Sequence, residues 1–181
     1  MSKDYPNILL VSGNGRNSGK TSLACKIIEK HAESQHIIGL KISPHFHALN
    51  ENEIFITKKN GYNILKEESR DSGKDSSRML IAGAKEVYFI QSDDENLDEA
   101  FHTLMKIIGN DSLIVCESGG LRRKIHPGVF LLLNRKDVTE FKPGARDLKI
   151  LADRLVTFDD GNFDLDPGEI SVSDNSWKIG S

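Results

Sequence analysis

The stretch that most limits how this chain can fold is SGNGRNSGKTSL, residues 12–23. It joins a short apolar run, NILLVS, to a segment in which Leu23, Ala24, Ile27, Ile28 and His31 follow helical spacing. A run of that kind ending at glycines reads as a strand buried on both faces, the kind a parallel sheet requires. Glycines after such a strand let backbone N–H groups turn inward around an anion, and the helix start beyond adds a favourable dipole.

Gly19, Lys20 and Thr21 match the end of the phosphate-binding motif, a glycine, four free positions and then Gly-Lys-Ser/Thr. The first glycine of that motif falls on Asn14, between Gly13 and Gly15. Either asparagine stands in for glycine, because it tolerates positive φ, or the loop carries one extra residue. As a phosphate loop, Gly13, Asn14, Gly15, Arg16, Asn17, Ser18, Gly19, Lys20, Thr21 and Ser22 surround the nucleotide. Lys20 then bridges the β- and γ-phosphates, and the Thr21 hydroxyl holds Mg²⁺. The plainer alternative is a glycine-rich turn that only caps a helix.

Strand-like and helical segments alternate along the rest of the chain. HIIGLKI, EVYFI, SLIVCE, GVFLLLN and RLVTF read as strands. KDSSRMLIAGA, LDEAFHTLMKII and part of PGARDLKILADRL read as helices. Residues 52–68 read as an inserted β-hairpin turning at Asn60-Gly61, the pair suited to a tight primed turn. The expected fold is α/β: a three-layer αβα P-loop NTPase with a mostly parallel central sheet and the inserted hairpin. One domain spans 1–181, with a core of about 7–158 and an acidic tail, 159–181, that periodicity does not place.

A net charge of -3 gives no general reason to expect nucleic-acid binding. Residues 122–149 are nevertheless basic, either a solvated face or a rim beside an anionic ligand. No run of about 18 apolar residues is present, so no membrane span is expected. The amino-terminal stretch is too short in apolar residues for a signal peptide. Cys25 and Cys116 read as small buried hydrophobes, and the cytoplasm is the expected compartment.

A triphosphate site needs an acid near the metal. Glu117 stands directly at a strand end before two glycines, whereas Asp93 and Asp94 lie beyond theirs, so position favours Glu117. The following strand ends FLLLNRKD, and Asn134 and Asp137 have the spacing by which many GTPases read guanine. The aspartate accepts from N1–H and the 2-amino group, and Arg135 could lay its guanidinium on the base. Asp75, past the hairpin, either holds the attacking water and Mg²⁺ or simply caps the next helix.

The stretches GRNSGKTSL, GLKISPHFH, GKDSSRMLIAGA and IVCESGGLRRKIHPGVFLLL together resemble the MobB-like proteins, accessory factors of molybdopterin-guanine dinucleotide biosynthesis. The resemblance covers roughly residues 7–157 and implies a homodimer that binds GTP·Mg²⁺ and hydrolyses it weakly. It also implies service to a partner nucleotidyltransferase that makes or delivers the guanylated molybdenum cofactor. By position, Lys20 and Thr21 match the family's phosphate and metal residues, Asp75 the switch acid and Glu117 the second acid.

Two other functions fit the same fold. A small-molecule kinase or ATP-dependent ligase would grip an acidic substrate with Arg122, Arg123 or Lys124. A non-catalytic module would bind nucleotide and signal through its switch. His45 and His47 share a direction in an extended chain, but no third ligand for a metal is nominated.

Overall fold

A computed structural model describes residues 3–46, 53–109 and 111–180. The first strand, β1 (Lys3–Gly13), runs into the glycine-rich loop, and α1 (Lys20–His31) leaves it. Then follow β2 (Ile37–Ser43), β3 (Ile54–Lys59), β4 (Tyr62–Glu67), α2 (Asp75–Ile81), β5 (Glu86–Ser92) and α3 (Leu97–Ile108). The second half carries β6 (Leu113–Glu117), β7 (Ile125–Arg135), α4 (Pro143–Leu151), β8 (Arg154–Asp159), β9 (Asn162–Phe163), β10 (Ile170–Ser173) and β11 (Ser176–Ile179).

Nine strands form one sheet in the order β3-β4-β5-β2-β6-β1-β7-β8-β9. The six from β5 to β8 are parallel, and antiparallel pairs close both edges. Alternation along the strands sorts side chains between two apolar layers. Ile8, Leu10, Leu40 and Cys116 face α3 and α4, packing with Phe101, Leu104 and Leu148. Leu9, Val11, Val115 and Leu131 face α1 and α2, packing with Leu23, Ile27 and Met79. This is an α/β architecture compatible with three layers. Both cysteines are buried and unbonded, as expected; burial pushes the Cys25 thiol up to about 11 and that of Cys116 up as well.

One turn differs from the sequence expectation. At Asn60-Gly61 only Gly61 has a positive φ, 90°, so the turn is not of the primed kind. The cause is tertiary: Gly61 packs against the Asn96 side chain, and its carbonyl accepts from Asp93 N at 3.3 Å. Primed turns lie instead between β8 and β9, where Asp160 and Gly161 have φ of 46° and 87°, and between β10 and β11, where Asp174 and Asn175 have φ of 50° and 55°.

The β10–β11 hairpin lies in the acidic segment that periodicity does not place. Trp177 is fully buried against α1, its indole Nε1 donating to Ile114 O at 3.1 Å and its ring meeting His31 edge-on. Leu165 and Ile170 join the same apolar layer. The acidic side chains of this segment sit on a strip whose other face is core. No helix among the described residues is long and apolar enough to cross a membrane.

Candidate functional site

The strand order reverses at β1, which has β6 on one side and β7 on the other. In an open α/β sheet the ligand crevice lies at the carboxyl ends of the strands at such a point. Here it is a cleft of about 590 Å³, whose walls include Gly13, Gly15–Ser22, Lys41, Asp75, Arg78 and Glu117. Lys20, Thr21 and Ser22 open α1, so their N–H groups have no partner within the helix and face the loop. Gly19 has a φ of 81°, and a Cβ there would meet Phe158 at 2.7 Å. Both backbone and space therefore demand glycine. Lys20 folds back over the loop, its Nζ donating to Gly15 O at 2.7 Å and Ser18 Oγ at 3.2 Å. Burial pushes its ammonium below the usual lysine value, with Lys41 and Lys142 adding to the effect and Glu117 opposing it. The negative charge of an anion there would offset both causes.

Side chains from four elements close into a ring. The Thr21 hydroxyl donates to Glu117 Oε2 at 2.6 Å, and Lys41 Nζ donates to Glu117 Oε1 at 2.6 Å. Lys41 also reaches Asp75 Oδ2 at 2.9 Å, and Arg78 lies 3.6 Å from the other Asp75 oxygen. Arg78 then donates to Ser22 Oγ at 2.9 Å, back on α1. Strand register explains the centre of the ring. Lys41 and Glu117 are paired across β2 and β6, and both point to the face that carries α1 and α2. Burial alone would lower the Lys41 pKa, but Glu117 and Asp75 hold it above the usual lysine value. Burial would likewise raise Asp75, yet Lys41, Thr21 and Arg78 hold it below the usual carboxylate range.

Thr21, Asp75 and Glu117 supply a hydroxyl and two carboxylates, the hard oxygen donors that suit Mg²⁺. Among the described residues no group of three or more His, Cys, Asp or Glu is arranged to hold a metal. His45 lines the cleft; His47 lies outside the described residues.

Three of the residues expected at the site are not on the cleft wall. Asn14 is 5% exposed and turned away from the cleft. Its Nδ2 donates to Asn134 Oδ1 at 2.8 Å and Glu140 O at 2.9 Å, while its Oδ1 accepts from Lys142 N at 2.9 Å. It does not need the positive φ that asparagine tolerates; in the loop those conformations fall on Gly15, Asn17 and Gly19. Asn14 instead ties the loop to the β7–α4 connection. Asn134 is held there too, donating to Val138 O at 2.6 Å. Asp137 is exposed and bound by Arg135 Nε at 2.8 Å.

Of the rival acids, Asp93 accepts from Asn96 N and Nδ2 at the start of α3, and Asp94 lines a neighbouring cavity. Lys41 is the residue the sequence reading passes over. Its signal was present: a lysine inside an otherwise buried strand must be paired, and the pairing names its acids. Arg122 donates to Ile125 O and covers the Phe130 ring. Comparison with protein-family models, with curated proteins and with solved structures finds no match for this chain.

Proposed function

We propose that this chain binds a Mg²⁺·nucleoside triphosphate in the cleft as a P-loop protein and hydrolyses its terminal phosphoanhydride slowly. The observation that carries this reading is convergence. Lys20, the uncapped start of α1 and the Thr21–Glu117–Lys41–Asp75 ring all meet at the carboxyl end of β1. Lys20 and the helix-start amides bind the phosphates and neutralise charge developing on the transferred oxygens. Thr21 and the two carboxylates would hold Mg²⁺, which supplies further neutralisation of that charge when bound. Asp75, held ionised and half exposed, is suited to orient the attacking water.

Guanine is the proposed base, on the Asn134-x-x-Asp137 spacing and the resemblance to MobB-like proteins. Asp137 must leave Arg135 to read a base, and an ion pair this exposed contributes little. The exchange is therefore cheap beside the cost of an unpaired buried acceptor facing the wrong base. The resemblance extends the proposal to an accessory role in molybdenum cofactor assembly, as a homodimer serving a nucleotidyltransferase in the cytoplasm.

Displacement of a fluorescent GTP analogue by GTP, ATP, GDP and XTP, with Mg²⁺, tests the reading. GTP should compete best, Lys20→Ala should abolish binding with the fold intact, and Asp137→Asn should admit XTP. ATP preference would overturn the guanine assignment, and unchanged affinity in Lys20→Ala would overturn the phosphate site.

A further inference from the structure

A second cavity of about 390 Å³ adjoins the cleft. The two share Gly13, Gly15, Ile42, Pro44, Ser118 and Gly119, so the glycine-rich loop is a wall common to both. Two cations stand on the far side of that wall. Lys142 lies along Gly15, its Nζ 3.1 Å from where a Cβ on Gly15 would be, so Gly15 is also what leaves room for it. Arg123 spans the rim, donating to Gly144 O on α4 and to Gly119 O after β6. Neither cation has an acidic partner among the described residues, although the ion pairs elsewhere on the molecule are numerous.

The rest of the cavity is specific in a different way. Ile42, Leu97, Ala145 and Leu148 give it an apolar floor, and Asp94 is its only acid among the described residues. Asp94 Oδ1 lies near Gly120, on the β5–α3 side of the space. Lys20 is within electrostatic reach of Lys142, so the shared wall separates cations whose mutual repulsion an anion on either side would reduce.

We propose that this second cavity binds a small organic anion, a carboxylate or phosphate monoester with an apolar body, beside the nucleotide. Its anionic group lies between Lys142 and Arg123, and its body covers Ile42, Leu97 and Leu148. That it is a co-ligand of the nucleotide rests on the function proposed above; the binding itself does not. The contribution of residues 122–149 to ligand binding then comes from two of the basic residues, far apart in sequence and brought together by α4.

Amide chemical shifts of ¹⁵N-labelled protein separate the two sites. Gly120, Ala145 and Leu148 report the second cavity, and Gly19, Thr21 and Ser22 report the cleft. Phenyl phosphate and phenylacetate are titrated separately, with and without Mg²⁺ and a non-hydrolysable GTP analogue; benzyl alcohol is the neutral control. With the analogue bound, at least one anion should shift the second-cavity amides, and the more effective of the two identifies the preferred head group. Benzyl alcohol should leave them in place, and Lys142→Ala or Arg123→Ala should weaken the anion about tenfold. Shifts confined to the cleft amides, or wild-type affinity for the anion in both variants, would overturn the proposal. If the analogue leaves the cleft amides unmoved while an anion shifts those of the second cavity, the nucleotide reading fails and the anion site stands.

Discussion

Lys41 Nζ lies 2.6 Å from Glu117 Oε1, and the two residues are register partners on adjacent parallel strands. The ammonium holds a nearly buried carboxylate in place and, through Asp75, ties β2 to the start of α2. Lys41→Met removes that charge and leaves Glu117 with the Thr21 hydroxyl as its remaining partner. Stripping one partner from a buried pair costs about 3–5 kcal/mol, so the melting temperature should fall clearly. Mg²⁺ supplies positive charge to the same oxygens and should raise the melting temperature of the variant more than that of the wild type. An unchanged melting temperature without Mg²⁺ would show that the pair carries no stability.

The same pair makes stability depend on pH with a defined sign. Lys41 is raised in the folded state, so its contribution is complete below the ordinary lysine value of 10.5 and is lost as pH rises through the raised value. Asp75 is depressed, so its contribution is present above 3.8 and is lost as pH falls through the depressed value. Lys20 is lowered and acts with the opposite sign at high pH, but it is present in both proteins and largely cancels in their difference. Denaturant titrations of wild type and Lys41→Met should therefore differ most from about pH 4 to 10 and converge above and below. A constant difference across the range would exclude this origin.

Asn14→Gly would restore the ordinary loop motif, yet it should weaken the protein. Three side-chain hydrogen bonds, to the end of β7 and to the β7–α4 connection, are lost, at about 0.5–1.5 kcal/mol each. Glycine also adds freedom to the unfolded chain. Urea denaturation should show a loss of about 3 kcal/mol, and no loss would mean that the connection is held by its other contacts.

The chain contains a single tryptophan, so fluorescence reports one place. Trp177 emission should shift to the red on unfolding at the same urea concentration as the far-ultraviolet dichroism signal, because the hairpin is part of the core. An earlier fluorescence transition would make the hairpin a separately melting unit. Removing the side chain, in Trp177→Ala, should cost about 3–5 kcal/mol.

Most of the strands and helices are legible in the sequence, because their periodicity is local. The α/β architecture follows from their alternation. What local pattern does not carry is a partner far along the chain. Asn14 resembles a defective glycine until Asn134 and Glu140 are beside it, 120 and 126 residues away. Trp177 sits among turn formers, and its reason for burial is the unpaired flank of α1 and Ile114. Two of the hairpin turns show the same limit in reverse. Asn60-Gly61 has the stronger local preference, and packing against Asn96 overrides it. Asp174-Asn175 has the weaker one, and nothing opposes it. At the site, glycine spacing and strand-end position indicate Lys20, Thr21 and Glu117; Lys41 requires knowing that β2 lies next to β6.

The burial of Trp177 also bears on how the protein is made. Every strand of the large sheet precedes it, so a growing chain has all nine before it has the residue that covers α1. At about 5–20 residues per second, the stretch from Phe163 to Trp177 takes roughly a second or more to synthesise. Through that interval the nascent sheet carries an open apolar flank beside α1. A chain truncated before Trp177 would keep the strands of the sheet and leave that flank open, the kind of intermediate that chaperones bind.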